Sequence, residues 1–158
     1  MKRVLTALAF LGACTPQDAP PQAPAEAARQ PGLPDAEIPA PAGEIRLTGV
    51  TSQTRVTSPL TIEGLVKADW VFEGQFPTWI EVDGMKVAEA PARHVLPEDG
   101  SYPDPLSFNA ELVFDVTRET PATLVLQEDM PQPVAPGTDE AGPARTLRIP
   151  ILLAPPAQ

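Results

Sequence analysis

Hydrophobic and polar residues alternate in short runs between residues 44 and 154. The longest run, LSFNAELVFDV, places its apolar side chains on one face of a strand: Leu106, Phe108, Ala110, Leu112, Phe114 and Val116. Shorter runs of the same kind read EIRLTGV, SPLTIEGLV, TWIEVDGMKVAEA, ATLVLQ and RTLRIPILL. A period of two residues is typical of half-buried strands. The pattern therefore predicts about seven strands and no helix after residue 43, an all-β domain of the β-sandwich class.

Glycine and proline refine three of these strands. Asp83-Gly84 separates two alternating runs by two residues, which predicts a β-hairpin with a tight turn. Gly64 interrupts the run SPLTIEGLV and is typical of a β-bulge. Pro150 cannot donate a hydrogen bond to a neighbouring strand, so we expect the last strand to lie at a sheet edge or to be bulged there.

The first fourteen residues, MKRVLTALAFLGAC, have the organisation of an export signal. Lys2 and Arg3 form a positive region, and the apolar stretch after them is too short to cross a membrane as a helix. Residues 1–13 are therefore predicted to be a signal peptide. The residues before Cys14 resemble the lipobox of bacterial lipoproteins, and this resemblance implies that Cys14 is lipidated and anchors the mature chain. The alternative is ordinary cleavage after Ala13, which would leave a free cysteine.

Residues 14–43 are dominated by proline and alanine. Such a segment cannot bury enough apolar surface to offset the entropy lost on ordering. We predict a lipidated cysteine followed by a disordered tether, which holds the domain away from the membrane. The β-sandwich domain then occupies residues 44–154, and residues 155–158 form a C-terminal tail.

The chain carries a formal net charge of −10 at pH 7. An acidic surface disfavours binding to nucleic acid and to anionic lipid headgroups, so no nucleic acid is expected as a partner and the membrane is contacted through the anchor alone. Cys14 is the only cysteine, so the fold cannot contain an intramolecular disulfide and must be stabilised by its core.

The stretch SPLTIEGLVKADWVFEGQFPTWIEVDG resembles the immunoglobulin-like domain of bacterial spore germination proteins, the second of the GerM-associated domains. The elements that carry the resemblance are Ser58-Pro59, Gly64, Phe72-Glu73-Gly74 and Asp83-Gly84. The resemblance covers roughly residues 46–153 and implies an immunoglobulin-like domain of the cell envelope without catalytic residues. A spore role does not follow, because no GerM domain is present. The segment EDMPQPVAPGTDEAGP is also longer and richer in proline than the family pattern.

Four of the eight aromatic residues lie in ADWVFEGQFPTW, residues 68–79. Alternation places Trp70 and Phe72 on one strand face, with Phe72 in the core. Trp79 has the parity of Glu81 and is predicted to face outward, while Phe76 caps the core. We therefore predict a binding surface with the following residues: Trp70, Glu73, Phe76 and Trp79. The alternatives are that Trp79 packs under the long loop and that Glu73 accepts hydrogen bonds from a turn.

Other chemically capable residues are scattered. His94 is the only histidine and is expected to be a solvated strand residue. A calcium site in the loop PEDGSYPD would use Glu98, Asp99 and Asp104, but their spacing is not that of an EF-hand. The pairs Glu128-Asp129 and Asp139-Glu140 are interpreted as solvated loop charges. The sequence predicts no metal site, no cofactor and no catalytic residues.

These observations favour a non-enzymatic interaction module, anchored by lipid at Cys14, that binds another protein of the cell envelope. An alternative is a module that binds peptidoglycan or another glycan, because tryptophan and acidic residues suit sugars. A hydrolase built around His94 and a passive spacer are weaker alternatives. The expected location is the extracytoplasmic or periplasmic side of a membrane. The outer membrane is preferred in a diderm organism, because Thr15 replaces the aspartate that favours inner-membrane retention.

Overall fold

In the computed structural model of the chain, which describes residues 37–138 and 140–156, the regular secondary structure of the domain is almost entirely β-strand. They are β1 (Glu37–Pro39), β2 (Ile45–Thr48), β3 (Thr54–Thr57), β4 (Leu60–Val66), β5 (Gln75–Val82), β6 (Met85–Val95), β7 (Leu106–Leu112), β8 (Thr120–Gln127) and β9 (Ala144–Ala154). Within those ranges the only helical element is one 3-10 turn at Ala68–Trp70. The prediction of an all-β domain is confirmed.

Hydrogen bonds join the strands into one curled, mixed sheet. Its order is β1-β9-β8-β5-β6-β7-β4-β2, and β3 also pairs with β9. β1 and β3 run parallel to β9, and the other pairs are antiparallel. β6 links the two halves of the sheet, because it pairs with β5 over most of its length and with β7 only at Arg93–Val95.

 The curled sheet encloses one hydrophobic core, to which each of the eight strands from β2 to β9 supplies at least one buried apolar side chain. In β4 and β7 every second residue is buried, beginning with Leu60 and Leu106. The inward face predicted for residues 106–116 is confirmed, because its apolar side chains from Leu106 to Phe114 are buried and Val116 packs against the core.

Two strands were not predicted. β1 lies inside the segment predicted to be a tether, so strand pairing begins at Glu37 instead of near residue 44. It has only three residues, too few to show a period, and it forms by pairing with Ala144–Thr146. β3 contains a single buried apolar residue, Val56, and therefore carries no recognisable alternation.

Two tight turns use residues with positive φ. Asp83 and Gly84 have φ of 51° and 77°, the signature of a type I′ turn, so the predicted hairpin is confirmed. Glu73 and Gly74 have φ of 48° and 84° and form a second such turn, which is closed by hydrogen bonds between Phe72 and Gln75. The sequence pattern had assigned Phe72 to a strand.

The bulge predicted at Gly64 is absent from the described ladders, where Gly64 pairs in register with Leu47 and Phe108. A Cβ atom at this position would meet the Arg46 carbonyl oxygen and lie 2.9 Å from the Phe108 ring, so both the neighbouring backbone and the ring require glycine there. The irregular pairing lies instead between Ile80 and Glu81 of the β5–β6 hairpin.

Pro150 lies where β9 changes its neighbour. On one side β9 pairs with β8, and Pro150 lies opposite Thr123. On the other side β1 pairs with Ala144–Thr146 and β3 pairs from Ile151 onward, so Pro150 falls in the gap between these two ladders. Because β9 is flanked by β8 on one side and by β1 and β3 on the other, the expectation that the last strand lies at a sheet edge or is bulged at Pro150 is wrong. The gap between the β1 and β3 ladders accommodates the proline instead.

Candidate functional site

The long segment between β8 and β9 folds into an irregular hairpin, which we call the 128–143 loop. Pro133 and Ala141 form an isolated antiparallel bridge. The Val134 N–H donates to the Glu140 carbonyl at 3.0 Å, and the Gly142 N–H donates to the Gln132 carbonyl at 2.9 Å. A Cβ atom on Gly142 would lie 2.5 Å from the Gln132 oxygen, so the two arms of the loop can approach only with glycine there.

A buried ion pair closes the base of the 128–143 loop. Arg145 Nη2 lies 2.6 Å from Glu128 Oε1, and Arg145 Nε donates to Glu128 Oε2 at 2.9 Å. The Glu128 side chain is 2% exposed, so the interpretation of Glu128 as a solvated loop charge is wrong. The hydrogen bonds to Glu128 hold the pKa of Arg145 above its usual range against the opposing effect of burial. A bidentate geometry of this kind fixes orientation as well as charge.

The same arginine connects the loop to the rest of the domain. Arg145 Nη1 lies 2.8 Å from Glu44 Oε2, and its guanidinium carbon lies 5.4 Å from the centre of the Trp70 ring. Trp70 Nε1 donates to the same Glu44 oxygen at 3.2 Å. Burial alone would raise the pKa of Glu44, but the hydrogen bond from Trp70 and the contacts with Arg145 and Lys67 keep it below its usual value.

Two clefts flank the base of the 128–143 loop. The larger, about 470 Å³, lies against the loop and includes Pro131, Glu140 and Pro143 in its lining. The smaller, about 350 Å³, lies over β5 and β6, and its lining is Gln75, Phe76, Pro77, Glu89, Ala90, Pro91 and Asp129. Pro77 and Asp129 line both clefts. We call the two clefts together the Asp129 cleft.

Asp129 lines both parts of this cleft, and its backbone is held in place by a hydrogen bond. Its N–H donates to the Trp70 carbonyl at 3.2 Å. Partial burial, together with the negative charge of Glu73, raises the pKa of Asp129 above its usual value. In the described part of the chain its carboxylate makes no hydrogen bond and no ion pair. A carboxylate in this position favours a positively charged ligand.

Three of the four residues predicted to form a binding surface are buried. Trp70 is 0% exposed, Phe76 1% and Trp79 3%. The prediction of an exposed aromatic platform at Trp79 is therefore wrong. Phe72, which was predicted to lie in the core, is 45% exposed at the Glu73-Gly74 turn. The different positions of Trp70 and Phe72 have a local cause. A 3-10 turn and a type I′ turn replace the strand on which the alternation had been counted.

Trp79 does lie on the face that its parity predicts, but charged side chains cover it. Lys86 Nζ lies 4.2 Å from the centre of the Trp79 ring. Trp79 Nε1 donates to Glu81 Oε1 at 2.6 Å, and Arg148 Nη1 donates to the other Glu81 oxygen at 2.8 Å. Beside it lies Val125, the partner of Trp79 in the ladder, which is fully buried outside the main core cluster.

Glu73 is the predicted site residue that remains exposed, and it lies close enough to Asp129 to affect its pKa. No described hydrogen bond involves the Glu73 carboxylate, so the alternative in which it fixes the turn has no support. His94 holds the turn instead: its Nδ1 lies 2.8 Å from the Gly74 carbonyl oxygen, and its ring packs edge-on against Tyr102. A Cβ on Gly74 would lie 2.8 Å from the His94 ring.

Among the described residues no group of three or more His, Cys, Asp or Glu is placed to hold a metal ion, and no described helix is long and apolar enough to cross a membrane. Cys14 and the predicted signal peptide lie outside the described residues. Searches of protein-family models, curated proteins and solved structures found no match to this chain.

The sequence contained a partial signal for the residues that were missed. Glu128 follows β8 directly and Arg145 is the second residue of β9, so a hairpin between these strands places the two opposite charges near each other. That inference requires β8 and β9 to be paired first. Asp129 carried no such signal, because only the folded loop shows that it lines a cleft.

Proposed function

We propose that this chain is a lipid-anchored protein of the cell envelope that presents an immunoglobulin-like domain as a non-catalytic interaction module. The observation that carries the proposal is the Asp129 cleft, a concave surface beside a loop whose base is closed by the Glu128–Arg145 ion pair. Binding surfaces are commonly built on loops that a rigid scaffold positions.

The strand order supports an immunoglobulin-like interpretation of the curled sheet. One half follows the order β2-β4-β7-β6 and the other contains β5-β8-β9. This corresponds to the four-stranded and three-stranded sheets of the constant-type immunoglobulin sandwich. The exchange of β6 from one neighbour to the other joins the two sheets at one edge.

A binding role also agrees with how the lone histidine is used. His94 contacts the Gly74 carbonyl and the Tyr102 ring, which are structural contacts at a turn.

The proposal of a lipid anchor is based on the lipobox-like sequence before Cys14. A Cys14→Ser variant is expected to move from the membrane fraction to the soluble fraction, and its retention at the membrane would contradict the anchor.

The test of the interaction module is affinity capture from detergent-solubilised envelope with the full chain as bait. A Val134→Asp/Glu140→Lys variant alters the exposed side of the 128–143 loop. The matched control, Val113→Asp/Glu98→Lys, makes the same changes at exposed positions elsewhere. We expect a captured protein that the loop variant loses and the control keeps. Equal capture by all three baits would contradict a site at this loop.

A glycan ligand is the second candidate, because Tyr102 and Phe72 are 57% and 45% exposed and could stack on sugar rings. Purified sacculi incubated with the same baits separate the two candidates. Retention on sacculi that is lost in a Tyr102→Ala variant would favour the glycan, whereas capture of protein alone would favour the envelope partner.

A further inference from the structure

We propose that the Asp129 cleft binds a peptide segment of the envelope partner that carries a lysine or arginine, with the cation held at Asp129 and its aliphatic stem on Pro77. This inference rests on the proposed interaction function and specifies the chemistry of the partner.

The lining of the cleft has one sign of charge. Its ionisable members are all acidic: Glu89, Glu128, Asp129 and Glu140. Glu128 is paired with Arg145, and Glu89 lies 3.3 Å from Lys86. Within residues 37–138 and 140–156, Asp129 and Glu140 have no ion-pair partner. The cleft therefore offers two uncompensated carboxylates to a cation.

The apolar part of the lining suits the stem of a long cationic side chain. Pro77 and Pro91 lie opposite each other on β5 and β6, and Phe76 and Ala90 complete this wall. Lysine and arginine bury their methylene groups on such surfaces while the charged head reaches a polar group. Asp129 borders the same wall, so one side chain can contact Pro77 and Asp129 together.

Electrostatics at two distances favour the same partner. Close to the site, partial burial and the negative charge of Glu73 raise the pKa of Asp129. An incoming cation would offset the repulsion between the carboxylates of Asp129 and Glu73. Over longer distances, the net charge of −10 attracts basic segments and repels acidic ones. A neutral or acidic peptide gains neither contribution.

β6 pairs with β7 only at Arg93–Val95, so the rest of this strand has an unpaired edge on the side away from β5. This edge is a less suitable place for a peptide. Pro91 lies opposite Pro77 and has no N–H to donate, and the pairing is irregular near Glu81. Proline and bulges are devices that prevent strand addition at an edge. Recognition by side chains in the cleft is therefore favoured over strand addition.

The test uses the full-length chain with Cys14→Ser and isotope labelling, titrated with two peptides that differ at one residue. The probes are acetyl-Gly-Leu-Lys-Leu-Gly-amide and the same peptide with glutamine in place of lysine. We expect the lysine peptide to shift the backbone amide signals of Asp129, Ala90 and Gly142 and to bind at least about fivefold more tightly than the glutamine peptide. Raising the salt concentration from about 0.05 M to about 0.5 M should weaken it further.

The Asp129→Asn variant should bind the lysine peptide about three- to fivefold more weakly, whereas Asp115→Asn, an exposed aspartate outside the cleft, should bind as the parent does. Equal binding of the two peptides, equal binding by the two variants, or no shift at the cleft amides would overturn the inference. If envelope capture depends on the loop but not on Asp129 or on salt, the interaction function stands and this inference fails. If nothing is captured but the lysine peptide binds at Asp129, the cleft stands and the envelope partner fails.

Discussion

The two halves of the curled sheet differ in the number of faces they bury. β4 and β7 alternate strictly between buried and exposed residues. β5 and β8 instead bury three consecutive residues each, Thr78–Ile80 and Leu124–Leu126. Alternation is a reliable guide only where one face of a strand is open to water. In β5 it identified the face on which Trp79 lies but not the exposure of that side chain.

The outer face of β5 and β8 is covered by side chains of the sheet itself. Register places Glu89, Trp79, Val125 and Arg148 in one row across four strands. Lys86 and Glu81 complete the cover over the indole. Long charged side chains can cover apolar surface in this way. The aromatic residue is therefore a structural element of a second, smaller buried layer.

The largest expected effect is the loss of this second layer. Trp79→Ala should lower the free energy of unfolding by about 3–5 kcal/mol, as for other buried aromatic residues. Glu111→Ala, at an exposed outer position of β7, should change it by no more than about 0.5 kcal/mol. Urea denaturation of the full chain measures each. If the two substitutions have equal effects, the outer face of β5 is not buried and the difference between the halves disappears.

A smaller effect is expected at the ion pair that closes the end of β8 and β9. Glu128→Gln should cost about 2–3 kcal/mol, because Arg145 loses a charged partner but keeps Glu44 and Asp69. The control is Glu119→Gln, which breaks an exposed pair with Arg55 and should cost less than about 1 kcal/mol. A cost for Glu128→Gln as small as that of the control would show that the buried pair does not stabilise the loop base.

Within the half that buries one face, the comparison predicts a packing effect at Gly64. Gly64→Ala should destabilise the domain by about 1–3 kcal/mol, because the new methyl group meets the Phe108 ring and the Arg46 carbonyl. Leu65→Ala at the next, partly exposed position serves as the control and should cost less. Thermal unfolding of the two variants measures both effects. If Gly64→Ala does not change the stability, the strands can separate to admit the side chain.

The sequence was informative where local rules decide the structure. The alternation in β4 and β7 and the turn at Asp83-Gly84 were predicted because hydrophobic period and turn chemistry act over a few residues. Trp79 and Glu128 were misjudged because their burial depends on Lys86, Glu81 and Arg145, which reach them only after strands pair. Of the predicted site, Glu73 remains exposed near the cleft and Phe76 lies in its wall, whereas Asp129 emerged only from the fold.

The smallest expected effect concerns Glu81, whose carboxylate joins Trp79 to Arg148. Burial would raise its pKa, but the hydrogen bond from Trp79 and the contacts with Arg148 and Lys86 hold the pKa below its usual value of 4.5. Such a group stabilises the fold above its unfolded pKa, and this contribution is lost as the pH falls through the folded pKa.

Glu81→Gln should therefore lower the free energy of unfolding by about 1 kcal/mol at neutral pH. Below about pH 4.5 this variant should lose less stability than the parent. Urea denaturation at neutral and acidic pH measures the difference, with Glu119→Gln as the control that keeps the parent's acid response at Glu81. Parallel pH profiles for Glu81→Gln and the parent would show that the cover over Trp79 does not depend on an ionised Glu81.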